Sequence, residues 1–257
     1  MLAAERRDLL LARLRSDGKL VAKDVARELG ISEDSVRRDL RDLAAAGLCQ
    51  RVYGGALPAS PALADLATRT GLAPDSKQRV ARRAVALVRP GGAVLLDGGT
   101  TALAVARVLP ADLDCTVITH SPTVAAALLA HPRAEVLLIG GRLFKHSAVT
   151  CGAAAVEAAQ AVSAEVFLLG VTGVHADHGL TTGDAEEAAM KRALAARAAE
   201  TYVLASAEKV GAVSRYAVLP LADVAGVVVD APAGDPTVAG LRRRGVPVLP
   251  AHEDTAP

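Results

Sequence analysis

The chain of 257 residues has a net charge of +1, with 22% charged and 51% hydrophobic residues. That is a globular composition, long enough for one large domain or two smaller ones, and it argues against disorder as the main state. Aromatic residues are only 2% and Trp is absent, so a base- or sugar-stacking platform is hard to build.

No run approaches the ~18 apolar residues of a membrane span. Charges in Met-Leu-Ala-Ala-Glu-Arg-Arg-Asp stand where a signal peptide would carry its apolar stretch, so a cytoplasmic protein without membrane partners is expected. Cys49, Cys115 and Cys151 are widely separated, which predicts reduced, mostly buried thiols rather than disulfides or a Cys-based zinc site. His131, His146, His175 and His178 form no known ligand spacing on one helix, so neither a metal nor a cofactor is expected.

The first part of the chain is charged and helix-patterned. Leu9, Leu10 and Leu14 recur at helical spacing before Asp17-Gly18, and Lys19-Leu20-Val21 is short and extended. A second helix is predicted over Ala22 to Leu29, with Val25, Ala26 and Leu29 on one face. Gly30 suits the left-handed residue of a tight turn, Ile31 can plug the core, and Ser32 is a natural N-cap for a third helix. On that helix Val36, Leu40 and Leu43 form the buried stripe. Arg37, Arg38 and Arg41 fall roughly 100°, 200° and 140° from Val36, so Arg38 and Arg41 face outward with Arg37 on the flank. Asp34 and Ser35 share the outer region near the helix start.

Helix, glycine turn and capped helix with outward arginines are the parts of a helix-turn-helix, in which Arg can pair bidentately with guanine. The segment Gly47 to Gly55 alternates apolar and polar residues, carries Arg51 and ends in Gly-Gly, as a wing contacting phosphate would. The plainer alternative is a small bundle with a solvated charged face, since Asp34, Asp39 and Asp42 intersperse with the arginines. Gly54 to Pro61 then has the Gly/Pro/Ser texture of a linker. The predicted division is 1–57 for the helical domain with its wing, 58–74 for the linker, 75–250 for a second domain and 251–257 for a frayed tail.

In the second domain Ala93 to Leu96 is a buried-strand run, followed by Asp97-Gly98-Gly99-Thr100-Thr101 and a helix-patterned stretch Ala102 to Val108. Strand, Gly-rich turn and helix can cradle phosphate on free backbone N–H groups. The alternative is a plain turn with Thr100 as N-cap. Further strands are predicted at Thr116–Thr119, Glu135–Ile139, Val166–Val171, Thr201–Ala205 and Val227–Val229. Helices are predicted at Pro122–Ala130, Ala153–Ala161 and Ala185–Ala199. This alternation predicts a mostly parallel α/β sheet covered on both faces, with a ligand beyond the carboxyl ends of the strands. Those ends carry Asp97, then Thr119-His120-Ser121, Gly140-Gly141-Arg142, Gly170-Val171-Thr172-Gly173 and Ser206-Ala207-Glu208-Lys209. The ligand expected there is a small polyhydroxylated anion. Each residue also has a bland reading: His120 as a cap, Arg142 as a solvated turn residue, Glu187 and Lys191 as a surface pair four apart. Val174 to Gly179 is a polar loop that could serve as a lid.

The strings Asp24 to Ser32, Ser35-Val36-Arg37-Arg38-Asp39-Leu40, Gly47-Leu48 and Arg51-Val52-Tyr53-Gly54-Gly55-Ala56 resemble the winged helix-turn-helix of the DeoR family, bacterial regulators of sugar metabolism. Residues 75–231 resemble that family's sensor domain, which is similar in fold to ribose-5-phosphate isomerase. The matching strings are Asp97 to Thr101, Gly140-Gly141, Gly170 to Gly173, Gly179-Leu180-Thr181, Glu187 to Ala193, and Lys209. The resemblance implies DNA contacts from Ser32, Asp34, Ser35, Arg37, Arg38, Arg41, Arg51 and Tyr53. It implies phosphate held by Asp97, Gly98, Gly99, Thr100 and Thr101. Sugar hydroxyls would be held by polar groups around Thr119, His120, Ser121, Gly140, Gly141, Arg142, Thr172, Gly173, Glu187, Lys191 and Lys209. His120 stands where the family usually has Asn, Glu208 where Ser is usual, and Cys49-Gln50 where more basic residues are common.

The function so implied is a repressor of a carbohydrate operon. It would be a homo-oligomer, dimer or tetramer, that binds a double-stranded DNA operator and a phosphorylated sugar effector, and it would not be an enzyme. The alternatives are a sugar-phosphate isomerase, for which Asp97, Asp177, Glu187 and Lys209 could be recruited, and a module whose N-terminal domain contacts only protein.

Overall fold

The computed structural model describes residues 2–252. The expected frayed tail lies, from residue 253 on, outside the described residues.

The N-terminal unit runs α1 (Ala3–Asp17), β1 (Leu20–Val21), α2 (Ala22–Leu29), α3 (Glu33–Ala45), β2 (Cys49–Val52) and β3 (Gly55–Pro58), with an antiparallel sheet in the order β1-β3-β2. Leu10, Leu14, Val25, Val36, Leu40 and Leu43 form its core, each worth about 1.5–3 kcal/mol on full burial. Gly30 takes the left-handed conformation, and the Ser32 hydroxyl accepts from Ser35 N at 3.2 Å to cap α3. The wing needs both of its glycines. Gly54 has φ +80°, and a Cβ on Gly55 would overlap the Leu20 carbonyl oxygen of β1.

Residues 58–74 are not a free tether. A 3-10 turn (Pro61–Leu63) and α4 (Leu66–Thr70) lie in it, and it is fastened to the second unit. The Ser60 hydroxyl donates to the Thr172 carbonyl, Ala59 bridges Val213, and Leu66 N donates to the His146 carbonyl at 2.9 Å.

The second unit comprises α5 (Pro74–Val85), β4 (Ala93–Leu96), α6 (Thr100–Val108), β5 (Cys115–Thr119), α7 (Pro122–Leu128), β6 (Ala134–Leu138), β7 (Arg142–Phe144), β8 (Val149–Cys151) and α8 (Ala153–Ala159). It continues with β9 (Ala164–Gly170), β10 (Gly173–His175), β11 (Gly179–Thr182), α9 (Ala185–Ala195), β12 (Ala198–Ala205), β13 (Tyr216–Ala217), β14 (Gly226–Val229), α10 (Pro236–Arg243) and β15 (Val248–Pro250). Seven strands pair in parallel in the order β15-β14-β12-β9-β4-β5-β6.

Alternate residues of each inner strand serve opposite faces. Leu95, Phe167, Leu169, Val203 and Val227 pack in the layer with α8, α9 and α10. Val94, Leu96, Leu168, Leu204 and Val228 pack in the layer with α5, α6 and α7. From β4 the chain winds outward through β5 to β6, then returns beyond β4 to β9 and winds the other way. The order therefore reverses between β4 and β9, where such sheets open a ligand crevice.

The helix expected to reach Ala199 stops at Ala195. Ala198 and Ala199 open β12, with Ala198 paired to Ala164, because sheet registry overrides the helix preference of alanine. Helices α5 and α10, strand β15 and the short antiparallel strands β7, β8, β10, β11 and β13 were not expected. The loop 174–179 is part of the β10–β11 hairpin rather than a lid, with the His175 and His178 rings 4.8 Å apart. All three cysteines are free and buried. No described helix is long and apolar enough to cross a membrane, and the described residues contain no cluster of three or more His, Cys, Asp or Glu placed to hold a metal ion.

Candidate functional site

Two separate surfaces carry chemistry, and the first is the outer face of α3 with the wing. Asp39 does not lie on that face as a neutralising charge. It is buried and takes Arg6 through both carboxylate oxygens. Arg37 is engaged within its own helix by Glu33 at 2.7 Å, and Asp42 by Arg7 at 3.7 Å. Arg38 and Arg41 are exposed, and among the described residues no carboxylate comes within ion-pairing distance of either. Ser32, Asp34 and Ser35 sit at the start of the helix beside them, with Ser32 and Asp34 exposed. Arg51 projects from β2, and Tyr53 stands fully exposed at the wing tip. Arg38 and Arg41 thus form an unpaired cationic ridge whose guanidinium forks are free to take acceptors.

The second surface is a small cavity at the carboxyl ends of β4, β9 and β12. Asp97 lies beneath it, wholly buried. Its carboxylate accepts from Gly98 N, Gly170 N and Lys191 Nζ at 2.8, 2.8 and 2.6 Å, and His120 Nε2 lies 2.7 Å away. Burial alone would raise the Asp97 pKa, but the Lys191 ammonium and the His120 contact outweigh it and hold the carboxyl well below the usual range. Asp97 therefore ties three successive strand ends together. His120 is fixed on its other side by the Thr150 carbonyl at 2.8 Å.

Above this knot the backbone turns into α6. A Cβ on Gly98 would overlap Val149, Gly99 adopts φ +94°, and no side chain caps the helix. The first amides of α6 consequently face the cavity without intrahelical acceptors, the arrangement that attracts an anion. Lys209 supplies a cation there. It is buried, donates to Thr101 Oγ1 at 2.7 Å and to the Leu204 carbonyl at 3.3 Å. Burial, with the Lys77, Arg69 and Lys191 charges nearby, pushes its ammonium down to about 8 against the opposing pull of Glu208.

Of the residues predicted for this site, Gly98, Gly99, Thr100, Thr101, Thr172, Glu187, Lys191 and Lys209 line the cavity. The surface pair allowed by the spacing of Glu187 and Lys191 is not formed, because both are buried and Lys191 reaches Asp97. Thr119, His120 and Ser121 are buried behind the cavity: Thr119 accepts from Ser121 N, and Ser121 caps α7. Gly140 and Gly141 lie toward α8, where a Cβ on Gly141 would press on Ala155. Arg142 is exposed and pairs with Glu186. Gly173 opens β10 beneath Ala212. None of these seven lines the cavity.

Sequence reasoning missed Arg69, Ser147 and Thr182, which do line it, as does Glu208, read only as part of its strand end. Arg69 comes from the segment read as a linker, and its Nη2 donates to Ser147 Oγ at 3.1 Å. Its Nη1 stands 3.6 Å from where a Cβ on Gly99 would be, so the guanidinium lies over the phosphate-type turn. The cavity is about 20 Å³ and adjoins one of about 170 Å³, the two sharing Ala62, Arg69, Ser147, Thr172 and Glu187.

Comparison with known proteins places each unit in a family. Residues 6–61 match the model of the DeoR-like helix-turn-helix domain, and residues 73–231 that of the DeoR C terminal sensor domain. The putative aga operon transcriptional repressor of Escherichia coli O157:H7 is 30% identical, over 96% of this chain and 93% of that protein. The HTH-type transcriptional repressor GlcR of Bacillus subtilis is 29% identical, over 99% and 98%. The glycerol-3-phosphate regulon repressor of Escherichia coli K12 is 25% identical, over 90% and 92%. Among solved structures, ribose 5-phosphate isomerase A of Methanocaldococcus jannaschii aligns over 53% of this chain and 54% of that chain, at 19% identity and a TM-score of 0.40. With both domain models matched in order and full-length relatives that are transcriptional repressors, the chain belongs to the DeoR family of helix-turn-helix transcriptional regulators.

Proposed function

We propose that this regulator represses a carbohydrate-metabolism operon from the cytoplasm, and that a phosphorylated sugar in the sensor cavity sets its affinity for operator DNA. The observation that carries the reading is the pair Arg38 and Arg41, exposed and without a carboxylate partner among the described residues, in a chain that also builds an anion cradle. Arg38 and Arg41 read base edges, flanked by Ser32, Asp34, Ser35 and Arg37, while Arg51 and Tyr53 approach phosphate. In the cavity the Gly98–Thr101 amides and Lys209 hold the effector's phosphate, and Thr172, Glu187 and Lys191 meet its hydroxyls. Asp97 and His120 act from behind by holding the strand ends in place.

Two copies must place their α3 helices about one DNA turn apart, ~34 Å, to read a symmetric operator. The outer edge of β6, with Leu129, Leu137, Leu138 and Leu143 exposed nearby, offers apolar surface for a second copy. Isomerase chemistry is disfavoured by Asp97, whose carboxylate is saturated by its partners and cannot serve as a base toward a substrate.

The test is a titration of the DNA upstream of the chain's own gene. Arg38→Ala combined with Arg41→Ala is expected to weaken binding at least ~10-fold, from about 1–3 kcal/mol per base-reading arginine. Equal affinity of variant and wild type overturns the reading of α3. Turnover of pentose or hexose phosphates near ~10 s⁻¹ overturns the regulator assignment.

A further inference from the structure

Among the described residues, two buried side-chain polar atoms have no hydrogen-bond partner: Arg69 Nε and Glu208 Oε2. Both belong to the walls of the same sensor cavity. Buried polar groups are almost always satisfied, so an orphan in a native fold calls for a reason, and a ligand site is one. Here the orphans are complementary. One is a donor and the other an acceptor, and they do not satisfy each other.

One further polar atom of each side chain is held. Arg69 Nη2 is held by Ser147. Glu208 Oε1 accepts from Ser206 Oγ at 2.9 Å and lies 3.6 Å from Lys77 Nζ, and the side chain as a whole is only 9% exposed. Lys77 is itself held by the Arg69 carbonyl at 2.6 Å. Glu208 is therefore held in the cavity wall through one oxygen, with the other buried and unpaired, just after β12 and next to Lys209.

The charge count limits what can enter. Arg69, Lys191 and Lys209 line the cavity against Glu187 and Glu208, an excess of one positive charge. Behind them Asp97 and Lys77 offset each other. One excess positive charge offsets only part of a single phosphate dianion and leaves nothing for a second, and a fixed carboxylate repels any further anionic oxygen.

Resting on the reading of this cavity as the effector site, we propose that Glu208 determines its specificity. Its free oxygen takes a hydroxyl or ammonium proton of the effector, while Arg69 Nε takes an oxygen of the effector's phosphate. The cavity thereby selects a sugar monophosphate with a proton donor facing Glu208 and rejects a sugar bisphosphate. The donor requirement adds specificity, because a site built to hydrogen-bond a group penalises analogues that lack it.

The experiment is calorimetric titration of the full chain with inorganic phosphate, a panel of pentose and hexose monophosphates, and fructose 1,6-bisphosphate. Wild type, Glu208→Ser and the isosteric Glu208→Gln are compared, each checked for wild-type thermal unfolding. Wild type is expected to prefer its best monophosphate over the bisphosphate at least ~10-fold. In both variants that preference falls to about 2-fold or less, inorganic phosphate binds more tightly, and the best monophosphate binds more weakly, since neither side chain is a charged acceptor. An unchanged preference in whichever variant folds overturns the role of Glu208 while leaving the cavity as the effector site. A wild-type chain that binds neither inorganic phosphate nor any monophosphate overturns the underlying reading as well.

Discussion

Lys209 shows how one buried ammonium can give the sensor a pH profile. Its folded-state pKa of about 8 lies below the ordinary 10.5 because burial and neighbouring cations disfavour its charge. Binding a phosphate dianion needs that charge. Free Lys209 loses its proton through pH 8, so affinity for inorganic phosphate should fall by about tenfold per pH unit above that point. Below about pH 7, the second ionisation of inorganic phosphate, the ligand itself becomes a monoanion and affinity falls again. Calorimetry from pH 5.5 to 9.5 should give an optimum between those limits, and Lys209→Met should be weak and flat on the alkaline side. A wild-type profile level to pH 9.5 overturns the placement of phosphate at Lys209. The position of this lysine after a strand was legible from the alternation of apolar runs. The role of Asp97 was only half legible: the string Asp-Gly-Gly-Thr-Thr predicts a turn able to cradle an anion, but nothing local says that the carboxylate faces inward to Lys191, 94 residues away. His120, expected at the rim, is drawn behind it by the same carboxylate. Glu208 was visible at its strand end, yet only the packing shows one of its oxygens buried without a partner.

At the scale of elements, local signals told most where caps and turns decide the structure. The N-terminal helices were readable because Gly18, Gly30 and Ser32 terminate or start them by backbone and side-chain chemistry that does not depend on the rest of the fold. The wing was readable for the same reason, and it carries a sharp test. Because a Cβ on Gly55 would run into the Leu20 carbonyl, Gly55→Ala must push β3 away from β1 or rotate it. Overpacking of this kind costs about 1–3 kcal/mol. The expected result is a lowered unfolding midpoint for the N-terminal unit and weakened DNA binding, with inorganic phosphate affinity in the sensor unchanged. Wild-type DNA affinity together with a wild-type midpoint in this variant overturns the tight β1–β3 contact. The short strands β7, β8, β10, β11 and β13 were not readable, since runs of two to four residues carry no period and exist only through their partners. The segment 58–74 misled for a related reason. Its Pro, Ser and Ala residues look like a tether, and the side-chain contacts that fasten it reach residues of the second unit more than 70 positions away.

For the whole molecule, that segment is the physical link between the two surfaces. Strand β3 of the wing ends at Pro58, the Ser60 hydroxyl holds the Thr172 carbonyl, Ala62 and Arg69 line the sensor cavity, and α5 begins at Pro74. A cavity of about 20 Å³ has room for little more than a water molecule. The adjoining cavity of about 170 Å³ shares Arg69 as a wall, and Arg69 lies on a helix of only five residues. A ligand that displaced α4 would pull on the chain that leads directly into the wing, so effector binding and wing position would draw on the same contacts. Only a difference in effector affinity between two arrangements can change DNA affinity, and the coupling is reciprocal. Removing the Ser60 anchor should therefore weaken the coupling more than either binding event. Ser60→Ala deletes its bond to Thr172 and its cap on Ala62 N, a local loss of about 1 kcal/mol. Its DNA affinity without effector and its affinity for the best sugar monophosphate should both stay within about threefold of wild type. The effector-induced change in DNA affinity, typically about 5–150-fold in such systems, should shrink toward twofold. If Ser60→Ala keeps the full wild-type ratio of DNA affinities with and without effector, the segment is only a spacer and the signal crosses elsewhere.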